Sequence, residues 1–366
     1  MKPEEFDKEL LATSGNLEDV EWHDIFSEPI TIHGVHYDEG LGFFVRMPMQ
    51  KAVKVRKYMD ILTKQTAGGR IRFSTNSPYV AITAEIEGRR GMYHMPLTGS
   101  HGFGVFENDK FLGNVAPTPY YFNDEETPVK IQGSVKLHEG KKDITVYFPQ
   151  YNGVKKVYVG IKKGSTLAPH KDYKIKTPVL FYGSSITQGG CCSHAGNDYV
   201  SHLSRWLDFD YINFGFSGTS GLENEIQEYM INQKMSLFFM DFDAWSFYKN
   251  ADEVIVDFVK KLRAKQPHVP VVLTTRPDVY KTDNSAQFDL DASNYKAYKT
   301  LKKQGYKNVY YVNVKDLFGK VDGYSCTVDT THPNDLGFYQ MAKVLYPIFK
   351  KALKKHKKEQ KCIKIK

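Results

Sequence analysis

The stretch VLFYGSSITQGG, residues 179–190, indicates how the second half of the chain folds. Four apolar residues stop at a glycine, and two serines and further glycines follow. A short apolar run predicts a buried strand, and the small residues predict a tight turn into a helix. In α/β proteins, functional side chains gather at the carboxyl ends of parallel strands. The turn is therefore either a plain connection or the place where Ser184 or Ser185 performs chemistry.

Apolar strands alternate with amphipathic helices after this stretch. DYVSHLSRWLD (198–208), for example, has one helical face formed by Tyr199, Leu203, Trp206 and Leu207. The predicted strands after VLFY are YINF (211–214), LFFM (237–240), VVLTT (271–275) and VYYVN (309–313). Strands separated by helices form βαβ units, so the sequence predicts a three-layer α/β domain with a parallel sheet.

The first half of the chain has the period-2 pattern of half-buried strands, as in DITVYFPQY (143–151). We expect an antiparallel, jelly-roll-like β-sandwich over residues 1–170, interrupted by one helix over 49–66. The α/β domain is expected over residues 171–366, with a lysine-rich C-terminal tail. The 24 tyrosines and 23 phenylalanines suit β-structure and surfaces that stack on sugars, although core packing alone also accounts for them.

Positive charge is concentrated at the C-terminus. The chain has 366 residues and a formal net charge of +8. Nine lysines and one glutamate lie between Lys350 and Lys366, so the preceding residues sum to zero. This distribution favours a solvated helix end over a surface for an acidic partner or a membrane, and it predicts no nucleic-acid partner.

Other features of the sequence indicate a cytoplasmic protein. The first residues are acidic and lack the apolar core of a signal peptide, and no stretch approaches the roughly 20 apolar residues of a membrane span. The four cysteines have no metal-ligand spacing, and we expect them to be reduced. The sequence therefore predicts no membrane association.

The loops after the predicted strands carry the residue types of acyl transfer, which requires a nucleophile, a base, a group that orients the base, and donors for the oxyanion. Ser185 is the candidate nucleophile and His332 the candidate base. Asp329, three residues before the histidine, is positioned to orient it. The backbone N–H groups of Ser185 and Gly218 are candidate oxyanion donors. Each signal alone has a structural alternative, since a D-x-x-H pair also begins many helices.

Several other residues near these loops each have two possible roles. Asp241 and Asp243 are either a metal pair or hydrogen-bonding residues, and the lack of further ligands favours the second, so we expect no metal. Arg276 pairs with Asp243 or touches substrate. Packing is favoured over catalysis for Cys191 and Cys192.

The second half of the chain resembles the SGNH (GDSL-type) hydrolases, over roughly residues 177–350. YGSSITQGG resembles the first block of that family, NFGFSG its glycine block, and VDTTHPND its last block. Other segments resemble the subgroup that carries an N-terminal β-sandwich, namely TAGGRIRFSTNSPYVAI (66–82), MPLTGSHGFGVF (95–106) and THPNDLGFYQMA (331–342). The resemblance implies an esterase without a cofactor, with nucleophile Ser185, oxyanion residue Gly218, orienting Asp329 and base His332.

The third block departs from the family pattern, which supplies an asparagine as a further oxyanion donor. MDFDAWSFY (240–248) has no asparagine, and Trp245 stands where it would fall. Trp245 either donates its single N–H, forms a pocket wall, or packs in the core. Trp245 and Arg276 are thus candidates for oxyanion or substrate binding.

The sequence predicts a serine esterase that hydrolyses short acyl esters, in particular acetyl esters of carbohydrates, through an acyl-enzyme. The expected partner is a small-molecule or oligosaccharide ester, and a homo-oligomer is left open. An acyltransferase that uses the same serine is one alternative. A carbohydrate-binding protein with weakened catalysis, suggested by the missing asparagine and the aromatic-rich sandwich, is the other.

Overall fold

The computed structural model describes residues 19–88, 91–117, 128–218, 221–241, 250–279 and 292–364. The chain forms two compact units, and each is built from several segments. Of the described residues, the sandwich unit comprises those up to Arg46, those in Lys64–Asp172 and those in Cys192–Gly196. The α/β unit comprises Met47–Thr63, Tyr173–Cys191 and the described residues from Asn197 onward. The single domain boundary expected between residues 170 and 171 stays a prediction.

The sandwich unit is antiparallel. One sheet has the strand order β1-β11-β6-β9, and the other has the order β12-β5-β10-β7-β8, with β2 paired to β5. The strands are β1 (Val20–Asp24), β2 (Thr31–His33), β3 (His36–Asp38), β4 (Phe43–Val45), β5 (Arg70–Thr75), β6 (Tyr79–Ile86), β7 (Phe103–Glu107), β8 (Lys110–Val115), β9 (Val129–Lys136), β10 (Lys142–Tyr147), β11 (Val154–Lys162) and β12 (Leu167–Ala168).

Both sheets contribute to one apolar core. Ile82 and Val159 from the first sheet and Phe73 and Val146 from the second are fully buried in it. The alternation of buried and exposed residues along β9 shows that its apolar residues face this core while its polar residues face outward. The β-sandwich expected from the period-2 pattern is confirmed.

The α/β unit contains a parallel five-stranded sheet in the order β14-β13-β15-β16-β17. Its strands are β13 (Ile175–Gly183), β14 (Phe209–Gly215), β15 (Leu237–Asp241), β16 (Val271–Thr274) and β17 (Val309–Tyr311). The first strand therefore lies between the second and the third. This arrangement reverses the winding of the sheet beside β13, and such a switch point is where open α/β sheets place their sites.

Helices cover both faces of this sheet. Leu180 and Phe238 share one core with the apolar residues of the flanking helices, whereas Phe181 on the opposite face stacks on Phe349 and packs against Tyr199. The predicted three-layer arrangement is confirmed. The described helices of the chain are α1 (Met49–Val55), α2 (Met59–Lys64), α3 (Leu97–Ser100, in the sandwich unit), α4 (Ser185–Gln188), α5 (Tyr199–Leu207), α6 (Asn224–Ile231), α7 (Ala251–Lys265), α8 (Ala292–Lys303) and α9 (Asp335–Lys364).

The segment expected to form one helix within the sandwich forms two helices, α1 and α2, that belong to the α/β unit. The break between them follows from Arg56, whose backbone is extended, and Tyr58, whose φ is +70°. The Arg56 guanidinium forms an ion pair with Glu223, the residue before α6. Ala52 is fully buried in the α/β core, so this core, rather than the sandwich, accounts for the apolar residues of the segment.

Within the described part of the chain, no helix has both the length and the apolar composition needed to cross a membrane.

Candidate active site

The turn after β13 presents Ser185 as the first residue of a helix. Ser184 caps this helix, because its side chain accepts a hydrogen bond of 3.3 Å from the N–H of Ile186. Gly189 ends the helix in the left-handed conformation, with φ +95°. Ser185 is largely buried, with 9% of its surface exposed. The structure thus places two serines directly after the carboxyl end of the first strand of the parallel sheet, as the sequence pattern predicted.

The carboxylate of Asp241 fastens this turn to the next strand of the sheet. One oxygen, Oδ1, accepts a hydrogen bond of 3.0 Å from the N–H of Ser184. The other, Oδ2, accepts a hydrogen bond of 2.6 Å from the hydroxyl of Thr187. A Cβ atom on Gly183 would lie 1.5 Å from the same carboxylate, so only glycine fits there. The hydrogen-bonding interpretation of Asp241 is confirmed, and Asp243 lies outside the described residues.

A tyrosine extends this buried network. The hydroxyl of Tyr199 lies 2.7 Å from that of Thr187. Because Thr187 donates its proton to Asp241, Tyr199 is the donor in this second bond. Burial first, and then the negative charge of Asp241, raise the pKa of Tyr199, so its hydroxyl stays protonated. The negative charge of Asp241 is thus stabilised by hydrogen bonds from uncharged donors, the N–H of Ser184 and the hydroxyl of Thr187.

The structure brings three of the predicted site residues together. Ser185 Oγ lies 2.8 Å from Nε2 of His332, and Nδ1 of His332 lies 2.7 Å from Oδ2 of Asp329. The other oxygen of Asp329 accepts hydrogen bonds from the N–H groups of His332, at 2.7 Å, and of Thr331, at 3.1 Å. The D-x-x-H spacing therefore folds into a turn that holds the carboxylate against both the backbone and the ring of the histidine.

The pKa of Asp329 lies below its ordinary value. Burial of the carboxyl would raise this pKa, but the N–H and the imidazole of His332, together with the N–H of Thr331, outweigh that cost. The carboxylate is thus ionised at neutral pH and accepts the proton on Nδ1 of His332. In that tautomer, Nε2 carries a lone pair that faces the hydroxyl of Ser185.

The glycine block after β14 is tied to the nucleophile turn. The side chain of Asn213 donates to the carbonyl of Thr187 at 2.7 Å and accepts from the N–H of Gly215 at 2.8 Å. The side chain of Gln188 accepts a hydrogen bond of 2.9 Å from the N–H of Ser217. The next residue, Gly218, has a φ of +68° and an exposed backbone. These hydrogen bonds hold the segment that leads to Gly218, the expected oxyanion residue, against the turn that carries Ser185.

The remaining predicted site residues are less closely defined. Arg276 is half-buried, two residues after β16, and so follows the same edge of the sheet as Ser185. Trp245 lies outside the described residues. Burial and the nearby charge of Asp329 raise the pKa of Cys191 to about 12, which supports packing rather than a nucleophilic thiolate. Cys191, Cys192 and Cys326 are buried, and none of these three forms a disulfide.

Sequence reasoning missed the supporting residues Gln188, Tyr199 and Asn213. Gln188 and Asn213 stand within the quoted first and glycine blocks, and Tyr199 was interpreted only as part of an apolar helix face. The strand and helix patterns predict that these three positions are buried. Since buried polar groups require hydrogen-bond partners, a polar residue at such a position was the signal available in the sequence.

Comparison with known protein families identifies the class of protein. Residues 176–350 match the GDSL-like lipase/acylhydrolase family. Residues 20–167 match the family described as the N-terminus of SGNH-hydrolase-type esterases. Through these two matches, which together span most of its length, the chain belongs to the GDSL-like lipases and acylhydrolases, as its motifs indicated. It is accordingly an ester hydrolase by family.

Solved structures share the fold at low sequence identity. A protein described as a GDSL-like lipase, from Bacteroides ovatus ATCC 8483, has 24% identity and a TM-score of 0.76, over 92% of this chain and 98% of its own. The salicylyl-acyltransferase SsfX3 from a tetracycline biosynthetic pathway has 17% identity and a TM-score of 0.71, over 91% and 98%. A family two carbohydrate esterase from Cellvibrio japonicus has 12% identity and a TM-score of 0.58, over 92% and 98%. No curated protein matches the chain in sequence.

Proposed function

We propose that the chain is a serine esterase in which Ser185 is the nucleophile, His332 the general base and Asp329 the group that orients the base. The single observation that carries this proposal is the unbroken series of hydrogen bonds from Ser185 Oγ through both nitrogens of His332 to Asp329. Such a series raises the nucleophilicity of a hydroxyl and stabilises the imidazolium that forms.

In the first half of the reaction, Ser185 Oγ attacks the ester carbonyl carbon while its proton moves to Nε2 of His332. The N–H groups of Ser185 and Gly218 are the proposed donors to the oxyanion. The tetrahedral intermediate then expels the alcohol, which takes the proton from His332 and leaves an acyl-enzyme. In the second half, water gives a proton to His332 and attacks the acyl carbon. The acid departs, and the proton returns to Ser185.

The proposed substrates are short acyl esters of carbohydrates, in particular acetyl esters. The likeness in fold to a family two carbohydrate esterase supports this choice, and so does the family resemblance of the motifs. The proposed residues would carry out this hydrolysis without a cofactor. The predicted cytoplasmic location, and the expected lack of nucleic-acid and membrane partners, stay predictions.

A fluorophosphonate probe tests the nucleophile directly, because it reacts with an activated serine. Peptide mass spectrometry of the labelled wild type should place the adduct on Ser185. Ser185→Ala should abolish both labelling and the release of acetate from a panel of acetylated sugars and short aryl esters. Ser184→Ala is the matched control, which should still be labelled. An adduct on Ser184 or on Cys191 would overturn the assignment.

An acyltransferase that uses the same serine is the second candidate. Two observations favour it, namely the likeness in fold to a salicylyl-acyltransferase and the lack of an asparagine in the third block. In this reaction an acceptor hydroxyl replaces water in the second half. Product analysis with and without an added alcohol separates the two activities, since a transferase forms the new ester in preference to free acid.

A further inference from the structure

The outward face of the four-stranded sheet in the sandwich unit carries two exposed aromatic rings. Trp22 on β1 is 38% exposed and Tyr158 on β11 is 39% exposed. Trp22 is opposite Gly160 in the antiparallel register, and Tyr158 stands two residues before that glycine, so both side chains point to the same side of the sheet. The two rings are therefore neighbours on one surface.

Gly160 explains the position of the indole. A Cβ atom on this residue would lie 2.4 Å from a methyl group of Val20 and 3.0 Å from the ring of Trp22. The ring thus reaches over the backbone of β11 at a point where a side chain would displace it. The indole ring of Trp22 therefore lies close to the sheet and remains partly exposed to solvent.

Two lysines stand beside the rings. Lys156 on β11, Glu85 on β6 and Lys130 on β9 are in register across three adjacent strands. Glu85 forms an ion pair of 3.5 Å with Lys155. Among the described residues, neither Lys130 nor Lys156 has an ion-pair partner. With strands about 4.8 Å apart, the Cα atoms of the two lysines lie roughly 10 Å from one another.

Polar side chains continue the row of Tyr158, beside the row of the lysines. Thr83 and Gln132 are opposite one another and in register with Tyr158. Glu85, Thr83, Tyr158 and the two lysines line a groove of about 290 Å³. The surface thus combines flat apolar rings, neutral hydrogen-bonding groups and separated positive charges.

We propose that this surface binds an acidic oligosaccharide, one that contains uronic acid residues. Pyranose rings have an apolar C–H face that packs on aromatic rings, hydroxyls that pair with threonine and glutamine, and, in a uronate, a carboxylate that pairs with lysine. Asp24 and Glu85 interrupt the positive charge, which disfavours the continuous phosphate backbone of a nucleic acid. We call it the sheet-face site, made of Trp22, Thr83, Lys130, Gln132, Lys156 and Tyr158.

This site goes beyond the proposed esterase activity and does not depend on it. The test measures binding of defined galacturonic acid oligomers to the full-length chain by isothermal titration calorimetry, beside neutral xylo-oligomers. Trp22→Ala, Tyr158→Ala and the double variant Lys130→Glu/Lys156→Glu should each weaken binding of the acidic oligomers by about tenfold or more. Tyr58→Ala, which removes an exposed tyrosine of the α/β unit, is the matched control and should bind as the wild type does.

Folding and activity are measured on the same samples. Thermal unfolding shows whether each variant is folded, and hydrolysis of a small aryl ester should be unchanged by all of them. Trp22→Phe keeps an aromatic ring and should retain more affinity than Trp22→Ala. Three results would overturn the proposal: no binding of acidic oligomers at millimolar concentration, equal binding of neutral oligomers, or binding that the sheet-face variants leave unchanged.

Discussion

Oδ1 of Asp241 lies 3.0 Å from the backbone nitrogen of Ser184, the residue that immediately precedes the proposed nucleophile. The carboxylate is almost fully buried, and its second oxygen holds the hydroxyl of Thr187. The conformation of the turn that carries Ser185 is thus set by a side chain from the adjacent strand, β15.

Replacing this carboxylate tests its role in placing Ser185. Asp241→Ala should lower the free energy of unfolding by about 2 to 4 kcal/mol, because two buried donors lose their acceptor. It should also lower kcat, with little change in KM, since the turn is no longer held. Denaturant unfolding and steady-state kinetics measure both effects. Asp257→Ala on the exposed face of α7 is the control, and unchanged values for Asp241→Ala would contradict the inferred role.

Asp329→Asn should leave a folded enzyme with a much lower kcat. An amide cannot stabilise the imidazolium of His332, and it favours the tautomer with its proton on the wrong nitrogen. In a serine protease the equivalent change costs a factor on the order of 10⁴, and the partial exposure of Asp329 should make the loss smaller here. Single-turnover kinetics beside Asp316→Asn, an exposed aspartate at the end of a short 3-10 helix, measure the effect. A rate within about threefold of the wild type would remove Asp329 from the mechanism.

The lowered pKa of Asp329 predicts a pH dependence of stability. In the unfolded chain an aspartate titrates near pH 3.9, and in the folded protein Asp329 titrates lower. The ionised carboxylate therefore contributes stability above about pH 4, and this contribution is lost as the pH falls through the folded-state pKa. The difference in unfolding free energy between wild type and Asp329→Asn should be present at pH 7 and shrink toward pH 2. A difference that grows on acidification would contradict the assignment.

Substitution of Trp245 separates its two proposed roles. Trp245→Phe keeps most of the bulk and removes the N–H. A large loss of kcat with an unchanged KM would indicate a donor to the oxyanion. We expect instead a changed preference between acetyl and longer acyl chains, as for a pocket wall. Kinetics on an ester series of increasing acyl length distinguish these results, and wild-type behaviour on every ester would exclude both roles.

The helix pair α1 and α2 should stabilise the α/β unit. Met59 is 1% exposed and packs in the core of this unit. Met59→Ala should lower the free energy of unfolding by about 2 to 4 kcal/mol, as truncations of buried side chains do. Val53→Ala, at a position of α1 that is 55% exposed, is the control and should change little. Equal stability of the two variants in denaturant unfolding would show that the helix pair contributes no packing energy.

Short motifs made the positions of Ser185 and His332 predictable, because each motif encodes a local turn. The role of Asp241 required more, since the side chain meets Ser184 only when β13 lies between β14 and β15. Helices and a whole strand separate the two residues along the chain. The spacing of residues in the sequence does not predict this order of strands. The position of Asp241, an acid at the end of a buried strand, indicated only that it forms hydrogen bonds.

The hairpin of β7 and β8 shows a second limit of sequence reasoning. Its turn is formed by Asn108 and Asp109, which have φ values of +45° and +68° without any glycine. All five residues of β7 are buried, so the strand lacks the alternation that marked DITVYFPQY. The turn thus lacks the glycine of the commonest hairpin signal, the strand lacks alternation, and β7 also pairs with the neighbouring strand β10.

The discontinuous make-up of the α/β unit affects how the protein must fold as it leaves the ribosome. Met47–Thr63 is synthesised before every strand of the parallel sheet with which it shares a core. The nascent chain therefore carries the apolar side chains of α1 and α2 without their final partners while β5 to β12 are made. Folding strictly from the N-terminus cannot complete this unit, and those side chains are exposed to chaperones and to misassociation until translation has supplied α6 and β15.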